Sequence, residues 1–253
     1  VTTTDDDVAG FTIVESGGST SVSETGTTDT FTVVLNAQPA SDVVLSISSS
    51  DTGEATVTSL LSFTSSNWNS AQTVTVTGAD DNLVDGTQNS TTSITVVDVI
   101  SDDSFDSVAD QTVSVTTTDN DVAGFTVVES GGSTSVSETG TTDTFTIVLN
   151  AQPASDVVFS ISSSDADEAT VTSTLTFTAA NWNSAQTVTV TGVDDNLIDG
   201  TVTSTITASI IDAISDDDFD SVADQTVSVT TTDDDVAGFT IVESGGSTSV
   251  SET

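Results

Sequence analysis

The sequence predicts an all-β protein built of tandem Ig-like antiparallel β-sandwiches, with about seven strands in each unit. Three observations predict it. Apolar residues recur with a period of two, as in "TFTVVLN" (30–36) and "QTVTVTG" (72–78), and no stretch shows the 3.6 period of a helix. Gly, Asn, Asp and Pro fall between these runs, where turns belong. The whole pattern then repeats. "VAGFT" begins at Val8, Val122 and Val236, a constant step of 114 residues. That step is too long for a solenoid repeat of ~20–50 residues and suits a complete domain.

Within the first unit the strands follow in order. "FTIV" (11–14) and "STSVSE" (19–24) are short. "TFTVVLN" (30–36) and "DVVLSIS" (42–48) alternate apolar with Ser or Thr. "LLSFT" (60–64), "QTVTVTG" (72–78), "TSITVVDVI" (92–100) and "QTVSVTTT" (111–118) complete seven or eight. Such alternation marks a strand with one face buried and the other wet. Val, Ile, Thr and Phe suit that pleated surface. The tryptophans, Trp68 and Trp182, each sit in "NWN" ahead of a strand and read as packing at the sandwich edge.

The repeat sets the boundaries. Residues 8–121 and 122–235 read as two copies of one sandwich. Residues 1–25 are identical to 229–253. Residues 1–7 therefore read as the end of a preceding repeat, and 236–253 as the first strands of a following one.

Composition narrows the chemistry. The 253 residues include 40 Asp and Glu and no Lys, Arg or His, a formal charge of −40. No basic group is present to meet phosphate, so nucleic acid and anionic membrane surfaces are excluded as ordinary partners. No apolar run approaches the ~18 residues of a membrane span. With no Cys and no His, disulfides and thiolate chemistry are absent and only oxygen ligands remain. These suit a hard cation such as calcium rather than zinc or copper. Self-repulsion at this charge opposes compaction unless salt or bound cations relieve it. The lack of Lys and Arg also removes every trypsin-type cleavage site, which fits an extracellular, protease-exposed protein.

The acids gather in loops. In the first unit they fall at Glu15, at Asp51 and Glu54, at Asp80, Asp81 and Asp85, at Asp102, Asp103 and Asp106, and at Asp119 and Asp121. The second unit keeps each one and adds Asp167, Asp218 and Asp234. Three acidic loops follow strands: "SSSD" (48–51), "DDNLVD" (80–85) and "TTTDND" (116–121). Strands that run the same way bring their ends together, so these carboxylates would converge. A calcium ion, with six to eight oxygen ligands, turns their repulsion into coordination. The spacing is not that of an EF-hand.

In "TIVESGG" (12–18), "SSSD", "QTVTVTGADDNLVDG" (72–86) and "VSVTTTDND" (113–121) the unit resembles the Calx-beta repeat, in the form found as tandem copies in large bacterial surface proteins. The resemblance implies a seven-stranded sandwich with calcium at one end. It implies ligands from a Glu after the first strand, a mid-unit Asp, the D-D-x-x-x-[DE] loop and the terminal aspartates. In the first unit these are Glu15, Asp51, Asp80, Asp81, Asp85, Asp119 and Asp121. In the second they are Glu129, Asp165, Asp194, Asp195, Asp199, Asp233, Asp234 and Asp235. Asn120 departs from the terminal triplet, and Gln88 and Val202 stand where richer members carry a further acid.

The function expected is structural: a calcium-stiffened segment of a secreted bacterial stalk, adhesin shaft or surface filament. Its partners are calcium, neighbouring repeats of the same chain and other copies in a filament. A cation at the terminal aspartates would hold the joint between units, flexible without calcium and straight with it. A second expectation is a module that binds glycan or ice through Thr-rich strand faces. Paired carboxylates also serve glycosidases, but no insertion breaks the 114-residue period to form a pocket. The sequence reads as no enzyme.

Overall fold

The computed structural model describes residues 6–246 and 248–252. Residues 1–5 of the expected preceding repeat, including Asp5 of its aspartate triplet, lie outside the described residues. So do Ser247 and Thr253. The chain divides into two compact units, Val1–Val122 and Ala123–Thr253.

The first unit is a sandwich of two sheets. Its strands are β1 (Phe11–Glu15), β2 (Thr20–Ser23), β3 (Thr28–Leu35), β4 (Val43–Ser49), β5 (Ala55–Val57), β6 (Leu60–Phe63), β7 (Gln72–Gly78), β8 (Gln88–Val96) and β9 (Gln111–Thr118). One sheet has the order β1-β3-β7-β5 and the other β2-β9-β8-β4-β6. The inner faces carry the apolar half of each alternation. Phe31, Val33, Leu35, Val74 and Val76 from one sheet meet Leu45, Ile47, Ile94 and Val115 from the other. Trp68 packs partly buried against this core, at its edge.

Two details differ from the sequence expectation. Residues 97–100 do not continue β8. The strand starts earlier, at Gln88, and ends at Val96, and Asp98–Ile100 form a single 3-10 turn. The sandwich is also not wholly antiparallel. β2 lies parallel to β9, with Thr20 opposite Val115 and Ser23 opposite Thr118. The cause is local. The chain leaves β1 in one sheet and crosses to β2 in the other through Gly17 and Gly18, whose positive φ angles of 71° and 87° an L side chain resists. After that crossing β2 runs alongside the last strand rather than against it.

The second unit repeats the arrangement with β10 (Phe125–Glu129), β11 (Thr134–Ser137), β12 (Thr142–Leu149), β13 (Val157–Ser163), β14 (Ala169–Val171), β15 (Thr174–Phe177), β16 (Gln186–Gly192), β17 (Val202–Ile210) and β18 (Gln225–Thr232). Its sheets run β10-β12-β16-β14 and β11-β18-β17-β13-β15. Its core gains an aromatic cluster. Phe159 meets Phe125 and Phe177 edge to face, with ring centroids 4.8 and 5.7 Å apart.

Residues 236–246 and 248–252 form no strand, although 8–18 and 20–24 carry the same sequence. Phe239 is 87% exposed where Phe11 is 3% exposed. The reason is pairing. β1 lies on β3 and β2 on β9, and among the described residues β3, β9, β12 and β18 are already paired with β1, β2, β10 and β11.

Candidate metal centre

The parallel pairing of β2 with β9 decides what meets at one end of each sandwich. Glu24 follows β2, and its backbone N–H donates to the Thr118 carbonyl at the end of β9. Period-two alternation puts Thr20, Val22 and Glu24 on the same inward face, so the glutamate is carried into the interior at 1% exposure. Gly78, the last residue of β7, lies against Ser23. A Cβ there would overlap the Ser23 carbonyl. Only glycine allows this approach, and it brings the loop beginning at Ala79 beside Glu24. Glu54, 8% exposed, comes from the turn before β5, and its carbonyl accepts the Ala79 N–H at 2.8 Å.

Two carboxylate triads result. Glu24, Asp81 and Asp121 each present an oxygen within 4.8 Å of the others, and so do Glu24, Glu54 and Asp85. Glu24 belongs to both. The second unit repeats them as Glu138, Asp195 and Asp235, and Glu138, Glu168 and Asp199. Two oxygens bound to one calcium at 2.3–2.6 Å lie at most about 5 Å apart, so each triad has the spacing of a shared ion.

The remaining predicted ligands take other places. Asp119 is spent on the backbone: it accepts the N–H groups of Asp85 (3.2 Å), Gly86 (2.8 Å) and Asp121 (2.6 Å). Asp233 does the same for Asp199, Gly200 and Asp235. These aspartates shape the loops that aim the triads. Asp51 and Asp165 accept the N–H two residues on, from Gly53 and Asp167, and so hold their own turn. Asp80 accepts from the Asn120 amide at 3.3 Å. Asp194 and Asp234 lie close enough to raise the carboxyl of Asp235. Glu15 and Glu129 stand apart. Each accepts a hydroxyl, from Thr20 at 2.9 Å and Thr134 at 2.8 Å, at the start of the strand whose far end bears Glu24 or Glu138. Four residues at ~3.3 Å each separate the two glutamates along that strand. The crossing between sheets is what moves the "Glu after the first strand" away from this end.

Asp102, Asp103 and Asp106 occupy the opposite end. Asp102 accepts the N–H groups of Ala40, Ser41 and Ser104, and these hold its carboxyl down at about 2. It is a clamp on the loop before β4.

Glu24 and Glu54 were the least visible members of the centre. Glu24 ends a strand, and the alternation of "STSVSE" already places it on the apolar face. A Glu on the apolar side of a strand was the signal. Glu54 stands out only as an acid beside the buried Ala55.

The electrostatics are unfavourable as they stand. Burial, with the charges of Asp119, Asp81 and Glu54, pushes the Glu24 carboxyl up to about 7, against a lowering hydrogen bond from the Asn120 N–H. Burial and then Asp85, Asp51 and Asp81 raise Glu54. Burial and then Asp119, Asp80 and Asp81 raise Asp121. Glu138, Glu168 and Asp235 are raised likewise, by burial first. Among the described residues Glu54 Oε2, Glu138 Oε1 and Glu168 Oε2 are buried without a hydrogen-bond donor. Burying a carboxylate without a partner is costly, and a chain with no Lys, Arg or His has no cationic side chain to offer. A proton or a metal cation must supply the balance. The residues fit a hard divalent cation.

No family model and no curated protein matches the sequence. Among solved structures, the chain is similar to CBD12 from CALX1.2, at 12% identity and a TM-score of 0.32 over 78% of this chain and 79% of that one. It is similar to domains 4 and 5 of the S-layer protein SbsC, at 14% identity and a TM-score of 0.36 over 89% and 99%. It is also similar to the S-layer protein rSbsC(31-844), at 16% identity and a TM-score of 0.35 over 94% of this chain and 30% of that one.

Proposed function

We propose that each sandwich is a calcium-binding structural repeat, and that the chain is a calcium-stiffened segment of a secreted stalk, adhesin shaft or surface filament. The observation that carries the reading is the buried, charge-unbalanced glutamate pair at one sandwich end, Glu24 with Glu54 and Glu138 with Glu168. A shared glutamate in two triads suits a pair of ions bridged by one side chain. Calcium would supply positive charge there, and the chain's own residues do the rest. Glu24, Glu54, Asp81, Asp85 and Asp121 furnish oxygens, while Asp119 holds the loop that presents two of them. The terminal aspartates end one 114-residue period where the next begins, so an ion bound to Asp121 also restrains the joint. Near-identical units suit a spacer, which needs length rather than distinct sites. The partners in this reading are calcium, adjoining repeats and further copies in a filament, outside the cell.

Small-angle scattering of the 253-residue chain in millimolar calcium and in excess chelator tests it, alongside thermal melts. A ligand at 100 times its dissociation constant adds ~2.7 kcal/mol per site, and 1 kcal/mol is worth roughly 4–8 °C for a domain of this size. The expected result is a melting temperature lower by more than about 10 °C in chelator, with a shorter and more varied maximum dimension. An unchanged melting temperature would remove calcium from the reading. An unchanged dimension would remove the stiffening.

The threonines favour a second reading. On the outer face of the first sheet Thr28, Thr30 and Thr32 pair with Thr77, Thr75 and Thr73, and Thr56 extends the row beyond Thr77. Such ranks of hydroxyls suit a glycan or an ice surface. Retention on immobilised polysaccharide, lost when Thr30, Thr73 and Thr75 are changed to Ser, would support it.

A further inference from the structure

We infer, on the basis of the calcium reading above, that the two centres fill in order, the second unit's before the first's, and that Asn120 sets the difference. The triads join the same residue types in the two units. The backbone around them is alike as well. The N–H of Asn120 donates to Glu24 at 3.3 Å, and the N–H of Asp234 donates to Glu138 at 3.4 Å. What differs is the side chain at this one position in the terminal triplet. In the first unit it is an amide, and its NH2 group donates to the carboxylate of Asp80. That bond brings no charge of its own to the acidic cluster. In the second unit it is a carboxylate. Asp235 faces Asp233, Asp234, Asp194 and Asp195, where Asp121 faces only Asp119, Asp80 and Asp81. The second centre therefore carries one more negative charge beside Asp235. Calcium affinity in oxygen cages follows the number of ligand charges. One added unit charge in the same exposed cluster supports a gap of about tenfold in affinity.

A second difference lies close by. Gly53 of the first unit is Asp167 in the second. Asp167 is exposed, and its N–H closes the turn on Asp165. Neither Asp167 nor Asp234 is in a triad, but Asp234 acts on the triad member Asp235 while Asp167 acts on none of Glu138, Glu168 and Asp235, so the contribution of Asp167 is the smaller one.

The test is a calcium titration of the full chain followed by the amide signals of Gly86 and Gly200 in 1H–15N correlation spectra. Each N–H is fixed to the aspartate that shapes its own loop, so each reports one unit. In the wild type the Gly200 signal should move at about tenfold lower free calcium than that of Gly86. Asn120→Asp should draw the Gly86 midpoint toward that of Gly200, and Asp234→Asn should draw the Gly200 midpoint toward that of Gly86. Asp167→Gly should leave the order in place. Midpoints that coincide in the wild type, or an order that survives both exchanges at position 120 and 234, would overturn the inference and leave calcium binding intact. Loss of the gap on Asp167→Gly alone would overturn the role of Asn120. Signals that calcium does not move at all would remove the calcium reading, and this inference with it.

Discussion

Gly78 lies against Ser23 so closely that a Cβ on the glycine would overlap the serine carbonyl, and Gly192 lies against Ser137 in the same way. This contact joins the end of β7 to the end of β2 across the two sheets. It makes the acidic loop after β7 a neighbour of Glu24. Gly78→Ala must therefore push the sheets apart at the end that holds Glu24. The obstacle is backbone, which cannot swing aside as a side chain would. The expected cost is about 3 kcal/mol, at the upper end of overpacking effects, read as a lower urea midpoint for the first unit. Calcium affinity of that unit should fall with it. Gly53→Ala, whose added Cβ meets only the Asp51 side chain, is the control and should cost far less.

Glu24 and Glu15 separate the structural reading from the one implied by motif resemblance. Glu24→Gln removes the shared charge of both triads. In chelator above about pH 7 it should stabilise the chain, because it removes a charge that burial, and then Asp119, Asp81 and Glu54, disfavour. In millimolar calcium it should destabilise, because the bridging ligand is gone. Glu15→Gln should do neither, since a glutamine carbonyl still accepts the Thr20 hydroxyl. Paired melts of the two variants with and without calcium check this. A Glu15 effect as large as that of Glu24 would favour the motif-based ligand set.

The metal-free chain should lose stability as pH rises from about 4.5 to about 7. The folded state raises the Glu24 carboxyl from 4.5 to about 7, so folded protein holds a proton that the unfolded chain has already released. Stability from such a group is complete below the unfolded value and is gone above the folded one. A shift of this size is worth about 3 kcal/mol at most. Glu54, Glu138 and Glu168 add to it in the same direction. Asp102 acts oppositely. Its lowered carboxyl stabilises above about 3.8 and fails as pH drops toward 2. Urea midpoints in chelator should therefore peak between about pH 4 and 5. Saturating calcium should invert the slope between 5 and 7, because the ion binds the ionised glutamate. A flat profile in chelator would mean that water reaches these carboxylates freely.

Much of this was legible in the residues. The period-two alternation of 30–36 and 72–78 placed Phe31, Val33, Val74 and Val76 inside, and the 114-residue step marked the repeat. Acidic loops after strands pointed to one end of the sandwich, where Asp81, Asp85 and Asp121 do meet Glu24 and Glu54. What was not legible depended on long-range geometry. Nothing local to "VESGGSTSVSE" says that the chain changes sheets at Gly17 and runs parallel to β9. With β2 antiparallel, Glu24 would have pointed away from Asp121. Nor does a run of aspartates say which carboxylate binds backbone and which is left for an ion. Asp119 and Asp121 are two residues apart, and only the fold gives the first to the N–H groups of Asp85 and Gly86.

The last prediction concerns the core behind the centre. Thr92 in β8 is fully buried, and its hydroxyl has no hydrogen-bond partner among the described residues. The corresponding residue of the second unit is Ile206, 1% exposed and lined up with Ser163 as Thr92 is with Ser49. A buried hydroxyl without a partner costs roughly 1–3 kcal/mol, and an isoleucine methyl in its place adds apolar contact. Thr92→Ile should therefore stabilise the first unit by about 1 kcal/mol. The gain is held to that figure because the neighbourhoods differ. The first unit has Leu45 and Ile94 where the second has Phe159 and Ala208, so the larger phenylalanine there sits in a core with a smaller neighbour, while Ile94 keeps its full volume. Some of the new methyl must crowd it. Urea unfolding of the single variant measures the net effect. The triple exchange Thr92→Ile, Leu45→Phe and Ile94→Ala, which transplants the second unit's solution whole, should equal or exceed it. A single variant less stable than wild type by more than about 1 kcal/mol would mean that the Thr92 hydroxyl holds a buried water, and that the first unit's core is wet where the second's is dry.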